Sequence, residues 1–175
     1  AVTLAFSAGA MAETLKMGIE AAYPPFNNKD ASGNVVGFDK EIGDAVFHVE
    51  FCYTKIEGKL GYNSGIYVRN SKDGAIWHQA QIGDASGGYL FGQTPGADGK
   101  KKFFTLAKKV TNSRVKPSGE WNTIEITAKG QVLTLWVNGA VTCQIEDCGQ
   151  EKGRLGLEGE GYRIEFRNLK MKALR

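Results

Sequence analysis

A chain of 175 residues has room for one full hydrophobic core, or for one domain and a fragment. Its net charge of +3, from 22 Lys and Arg against 19 Asp and Glu, is too small a surplus to argue for a nucleic-acid partner. The 23 glycines sit singly between short apolar runs, which indicates many turns rather than a disordered linker.

Residues 1–12, AVTLAFSAGAMA, read as the tail of a secretory signal peptide. An apolar run ends in small residues, and Ala10-Met11-Ala12 supplies an A-x-A cleavage pattern. The initiating Met and basic start are missing, so the expectation is a truncated precursor of a periplasmic or secreted protein. The run is too short to cross a bilayer, and no membrane span is expected.

Residues 13–46 change character. Leu15, Met17 and Ile19 alternate as a strand does, Tyr23-Pro24-Pro25-Phe26 breaks the chain, and Asn27–Asn34 is turn-rich. Val35–Phe38 reads as a second short strand, and Asp39 as the N-cap of a helix over Lys40–Val46. The pieces IEAAYPPF and GFDKEIGDA resemble the start of a periplasmic polar-amino-acid-binding protein of an ABC transporter. In that family the aromatic of the first loop, here Tyr23, packs on the ligand. A first βα unit cannot by itself form a cleft between two lobes, so no amino-acid binding is expected. Leu15–Ile19 or Val35–Phe38 is expected to cover an edge of the β-rich part that begins near residue 47.

From about residue 47 to the end the pattern is β. Phe47, Val49, Phe51 and Tyr53 alternate with His48, Glu50 and Cys52. Ser64–Asn70 and Ala75–Ile82 come next, joined by Ser71, Lys72, Asp73 and Gly74. Strand parity places Ile66 and Val68 on one face and Tyr67 and Arg69 on the other. It likewise opposes Gln79 and Gln81 to His78, Ala80 and Ile82. Lys100–Lys102, with Lys108 and Lys109, reads as a solvated polar connection. Glu120–Ala128 and Gln131–Val137 flank Lys129-Gly130, and Val137 and Ala140–Ile145 flank Asn138-Gly139, a strong hairpin signal. Arg154–Glu158 and Tyr162–Met171 close the run, with a bulge expected near Arg167-Asn168 because the apolar parity flips there. The fold expected is an all-β antiparallel sandwich with Ile66, Val68, Ile124, Ile126, Leu133, Leu135, Ile164 and Phe166 in its core.

Cys52, Cys143 and Cys148 form no metal-ligand cluster. Cys143 and Cys148 read either as a small disulfide loop or as two buried thiols. The polar face carries the candidate chemistry. Asp84 and Glu158 are the candidate pair of catalytic carboxyls, with Glu160 and Glu165 also near. For Asp84 a turn role accepting backbone N–H is the competing reading, and for Glu158 and Glu160 a solvated loop. His78 falls on the core face, Trp77 is placed to stack on a sugar beside Gln79 and Gln81, and Trp136 falls opposite Leu135 and Val137. No cofactor or metal is expected.

The pieces NSGIYVR, WHQAQIGD, GYLFG, EWNTIEI, LWVNG and GRLGLEGEGYRIEFRNLKMKAL occur in that order over residues 63–174. They resemble the 3-keto-disaccharide hydrolase-type domain, a jelly roll of the concanavalin-like class. The resemblance implies a carbohydrate ligand against Arg69, Gln79 and Gln81; strand parity adds Tyr67, on the face of Arg69, and Trp77, on the face of Gln79 and Gln81, as further candidate binding residues. The resemblance also implies cleavage of 3-keto-glycosides by elimination and hydration, with Arg69 stabilising an enolate; a carbohydrate-binding module without turnover is the alternative. Many relatives carry a carboxylate where Gln79 stands and a histidine where Glu160 stands. The chain looks like a chimera joined near residues 45–48, its three parts being 1–12, 13–46 and 47–175.

Overall fold

The computed structural model describes residues 28–29, 35–36, 41–84 and 86–174. The signal-like run, the strand expected at Leu15–Ile19, Tyr23 and Asp39 lie outside the described residues. Among the described residues, strands β1 (Asn28–Lys29) and β2 (Val35–Val36) pair only with each other, as a two-stranded sheet separate from the rest. They therefore do not extend an edge of the sandwich.

Ten further strands form two five-stranded antiparallel sheets. They are β3 (Ala45–Tyr53), β4 (Gly65–Asn70), β5 (Trp77–Gln81), β6 (Tyr89–Pro95), β7 (Lys101–Thr105), β8 (Asn122–Lys129), β9 (Val132–Val137), β10 (Ala140–Ile145), β11 (Arg154–Leu157) and β12 (Ile164–Ala173). One sheet runs β10-β9-β8-β3-β12 and the other β11-β4-β5-β6-β7. The chain is thus a concanavalin-like all-β sandwich.

Period-two alternation builds the core. Phe47, Val49, Phe51 and Tyr53 of β3, Ile124 and Ile126 of β8, and Leu133 and Leu135 of β9 meet Ile66, Val68, Ala80, Ile82 and Leu90 of the facing sheet. Their removal from water supplies most of the driving force for folding. Ile164 and Phe166 pack against this core but are only half-buried, because β12 is the edge strand of its sheet.

The helix expected over Lys40–Val46 gives way to extended chain. Ile42 bridges Gly153, with N–H···O=C distances of 2.8 and 3.1 Å, and Ala45 and Val46 open β3. A seven-residue helix would be marginal, whereas β3 gains ladders on both sides, to β8 and β12. The basic run is also more structured than its composition predicts: Lys101 and Lys102 begin edge strand β7.

The Asn138-Gly139 hairpin forms with both residues at positive φ, 42° and 105°, as its turn chemistry predicts. The bulge in β12 is present. Register shifts between Arg167 and Lys170, Asn168 takes φ 52°, and Leu169 is buried while Met171 remains exposed. Asn168 directs its amide to Glu50 Oε1 at 2.9 Å rather than to a freed backbone group. All three cysteines are free thiols, so the disulfide alternative for Cys143 and Cys148 is not realised.

A second bulge, in β4, decides where the site lies. Tyr67 pairs with Gly156 and Asn70 with Arg154, so Val68 and Arg69 together oppose the single residue Leu155. Arg69 adopts φ 53°. The extra residue turns the Arg69 side chain inward alongside Val68.

Candidate functional site

β5 lies at the centre of its sheet, and His78 and Ala80 point into the core, so Trp77, Gln79 and Gln81 point outward. Register sets Tyr67 of β4 on one side of Gln79 and Phe91 of β6 on the other. Glu158, just after β11, is fixed through its backbone: its N–H donates to Gly65 C=O at 2.9 Å, and Ser64 Oγ donates to its C=O at 2.7 Å.

These positions make one hydrogen-bonded network. Tyr67 O–H donates to Glu158 Oε1 at 2.6 Å, and Gln79 Nε2 donates to Glu158 Oε2 at 2.9 Å. Gln79 Nε2 also reaches Gln81 Oε1 at 3.2 Å. Gln81 Nε2 donates to Asn63 Oδ1, and Asn63 Nδ2 to Glu160 Oε2. Gln79 and Gln81 are buried beneath their neighbours, so they position the acceptors above them. Tyr67, Glu158, Asn63 and Glu160 retain access to solvent. Gly65 makes room for this arrangement, since a Cβ there would lie 2.0 Å from Gln79 Nε2.

Burial, reinforced by the adjacent Glu158 carboxylate, pushes the Tyr67 phenol well above its ordinary pKa. Tyr67 is therefore a neutral hydrogen-bond donor at physiological pH. Beside the network runs a row of rings. Trp77 meets Phe91 edge-on at 5.2 Å between centroids and Tyr67 at 6.4 Å, and Tyr89 meets Phe91 at 5.6 Å.

Of the residues the sequence assigns to the site, Tyr67, Trp77, Gln79, Gln81 and Glu158 come together. Arg69 does not. Strand parity predicts it beside Tyr67, but the bulge sends it into the interior, where it is 2% exposed. There its Nη2 bonds Asp44 Oδ1 at 3.0 Å and its Nη1 bonds Gly130 C=O at 2.5 Å. Asp84 also stands apart. Its Oδ1 accepts the Tyr62 N–H at 3.1 Å, the turn role, and it makes no bond to Glu158.

His78 is wholly buried, with Nε2 3.3 Å from Cys148 Sγ, and burial pushes its pKa down to about 4. It is a neutral core histidine. Among the described residues no Lys or Arg bonds to the Glu158–Glu160 network. A separate hollow, lined by Ile42, Ala45, Phe47, Arg69, Ile126 and Met171, is largely apolar and shares no residue with the Glu158–Glu160 network. Asn63 and Phe91 join the site without being predicted from sequence. Asn63 lies in a loop with no periodicity, whereas the alternation of Phe91 with Tyr89 is a signal that could have found it.

The sequence model of the 3-keto-alpha-glucoside-1,2-lyase-like domain family matches residues 17–172. That match starts upstream of the junction expected near residues 45–48. A 42-residue stretch is 45% identical to the lysine/arginine/ornithine-binding periplasmic protein of Escherichia coli, covering 24% of this chain; the chain spans only 16% of that relative's length. Among solved structures, a provisionally assigned glycosyl hydrolase from Parabacteroides distasonis superposes with TM-score 0.57 at 22% identity, over 77% of this chain and 80% of that one. A carbohydrate-binding module from Bacillus subtilis superposes with TM-score 0.56 at 12% identity, over 77% of this chain and 78% of that one. At these identities the likeness is one of fold.

Proposed function

The chain belongs to the 3-keto-alpha-glucoside-1,2-lyase-like domain family, and from that premise we propose that it acts on a neutral 3-keto-glycoside held against the outer face of β4 and β5. The observation that carries this reading is Glu158, a carboxylate held by Tyr67 and Gln79 beside a row of half-exposed rings. A surface combining aromatic rings with a few convergent polar groups suits a polyol.

A ketone at C3 of a sugar acidifies the C–H at C2. Glu158 is the group to take that proton. The electron pair moves onto the C3 oxygen and returns to expel the glycosidic oxygen from C1. The proton collected by Glu158 is then available to the departing oxygen, so the step balances without a second acid. Water adding across the new double bond completes a net hydrolysis. The enolate oxygen meets neutral donors, the Tyr67 hydroxyl or the Asn63 amide, in place of the guanidinium expected from sequence. Two carboxylates without a bonded cation disfavour anionic sugars.

A second reading, binding without turnover, is favoured by Gln79. An amide stands where the family resemblance implies a carboxylate, and its bond occupies one oxygen of Glu158. Incubation with a 3-keto-disaccharide separates the two. Turnover is expected, with loss of about 100-fold or more in Glu158→Gln, the size of effect general-base removal produces. Saturable binding with no product would establish the second reading, and neither binding nor product would overturn both. The A-x-A pattern at residues 10–12 supports export as the setting.

A further inference from the structure

We propose that the site extends across the sheet from Glu158 to Phe103 and takes a neutral oligosaccharide of several units, with Phe103 holding the far end. This rests on the carbohydrate reading above and adds the length of the ligand. Trp77 of β5 and Phe103 of β7 are both in register with Gln93 of the intervening β6, so all three lie on the same outward face. The Trp77 and Phe103 rings lean together over that strand, 6.5 Å between centroids.

Phe103 is 58% exposed, unusual for so large an apolar side chain. It is not isolated. Phe103, Trp77, Phe91 and Tyr67 form an unbroken set of ring contacts leading to the Glu158 hydrogen-bond network. A contiguous exposed apolar patch rimmed by polar groups marks an interaction surface. From β4 to β7 is three strand spacings, about 14 Å, longer than one sugar ring needs. A pyranose offers an apolar C–H face to an aromatic ring and hydroxyls at its rim. A chain of such rings matches a surface that is aromatic along one end and carboxylate and amide at the other. Lys102 falls on the other face of β7 and is engaged by Asp147 at 2.9 Å, and Lys101, in register with Pro95, lies at the edge of the patch.

The test titrates the protein with neutral α- and β-linked glucose oligomers of one to six units, by calorimetry, alongside Phe103→Ala and Glu158→Gln. Affinity should rise by about tenfold or more between two and four units, equivalent to the energy of one aromatic contact. Phe103→Ala should remove that gain while leaving the shortest ligand that binds unchanged, and Glu158→Gln should weaken every length. Affinity independent of length, or a Phe103→Ala variant that keeps the length gain, would overturn the extension alone. If no oligomer of any length binds and no 3-keto-disaccharide does either, the carbohydrate reading fails with it. Dimerisation lost on Phe103→Ala, seen by sedimentation, would assign the patch to a second copy instead and also overturn the extension.

Discussion

Arg69 of β4 and Asp44, the residue preceding β3, are joined at 3.0 Å across the two sheets of the sandwich. Asp44 Oδ1 also accepts the Gly130 N–H at 2.9 Å, so one carboxylate ties β3, β4 and the β8–β9 turn together. Breaking such a pair from the exposed side is the costlier route, because the guanidinium stays buried. Asp44→Ala should therefore lose about 3 kcal/mol, the lower end for a buried pair since Asp44 is 40% exposed. Arg69→Met, which removes the charge and keeps the volume, should cost less and leave sugar binding intact. Urea unfolding beside calorimetry checks both; loss of binding in a folded Arg69→Met protein would return Arg69 to the site.

Leu135 is wholly buried between the sheets, so Leu135→Ala should cost about 2–5 kcal/mol. Phe166 sits half-buried on edge strand β12, and its truncation should cost clearly less than the roughly 3–5 kcal/mol typical of a fully buried Phe. Equal losses in chemical denaturation would mean that the edge is better packed than its exposure indicates.

His78 titrates near 6.5 when unfolded and near 4 when folded, lowered chiefly by burial. Between those values the unfolded chain binds the proton and the folded chain does not. Stability should thus fall as pH drops from 6.5 towards 4, by about 3 kcal/mol over the whole window. Melting temperatures from about pH 7 to pH 4 should show this slope, and His78→Leu should flatten it. A slope unchanged by the substitution would locate the titration elsewhere.

Gly65→Ala places a methyl in the space of the Gln79 amide. Gln79 must swing away, releasing Glu158 Oε2 and Gln81 together. Carbohydrate affinity should drop about tenfold, equivalent to one charge-assisted hydrogen bond, with little change in melting temperature. Unchanged affinity would show that Gln79 does not position Glu158.

Much of the sandwich is legible because its physics is local. Phe47 to Tyr53 alternate, Asn138-Gly139 tolerates two positive φ values, and the parity flip after Phe166 announces a bulge. Arg69 is illegible for the opposite reason. Its bulge puts a non-glycine at φ 53°, and β11 can approach it because position 153 is glycine, where a Cβ would lie 2.4 Å from the Arg69 carbonyl carbon. Those residues are remote in sequence. Phe103 is hidden by its neighbours, since three lysines before it make an edge strand look like a loop. The Glu158 network needs both the parity of β5 and the loop at Asn63, of which only the first is periodic.

The pairing of β12 with β3 bears on how the protein is made. Ala173, near the end of the chain, pairs with Ala45, and Ile164 with Tyr53. Closing so long a loop costs chain entropy before any contact rewards it. Folding dominated by such distant pairings is slow. On the ribosome, β3 emerges with neither of its sheet neighbours, since β8 and β12 are both synthesised much later. Its alternating Phe47, Val49, Phe51 and Tyr53 then stand exposed, a strand with two open edges. The nascent chain is therefore a candidate for chaperone protection until β12 is available to pair with β3.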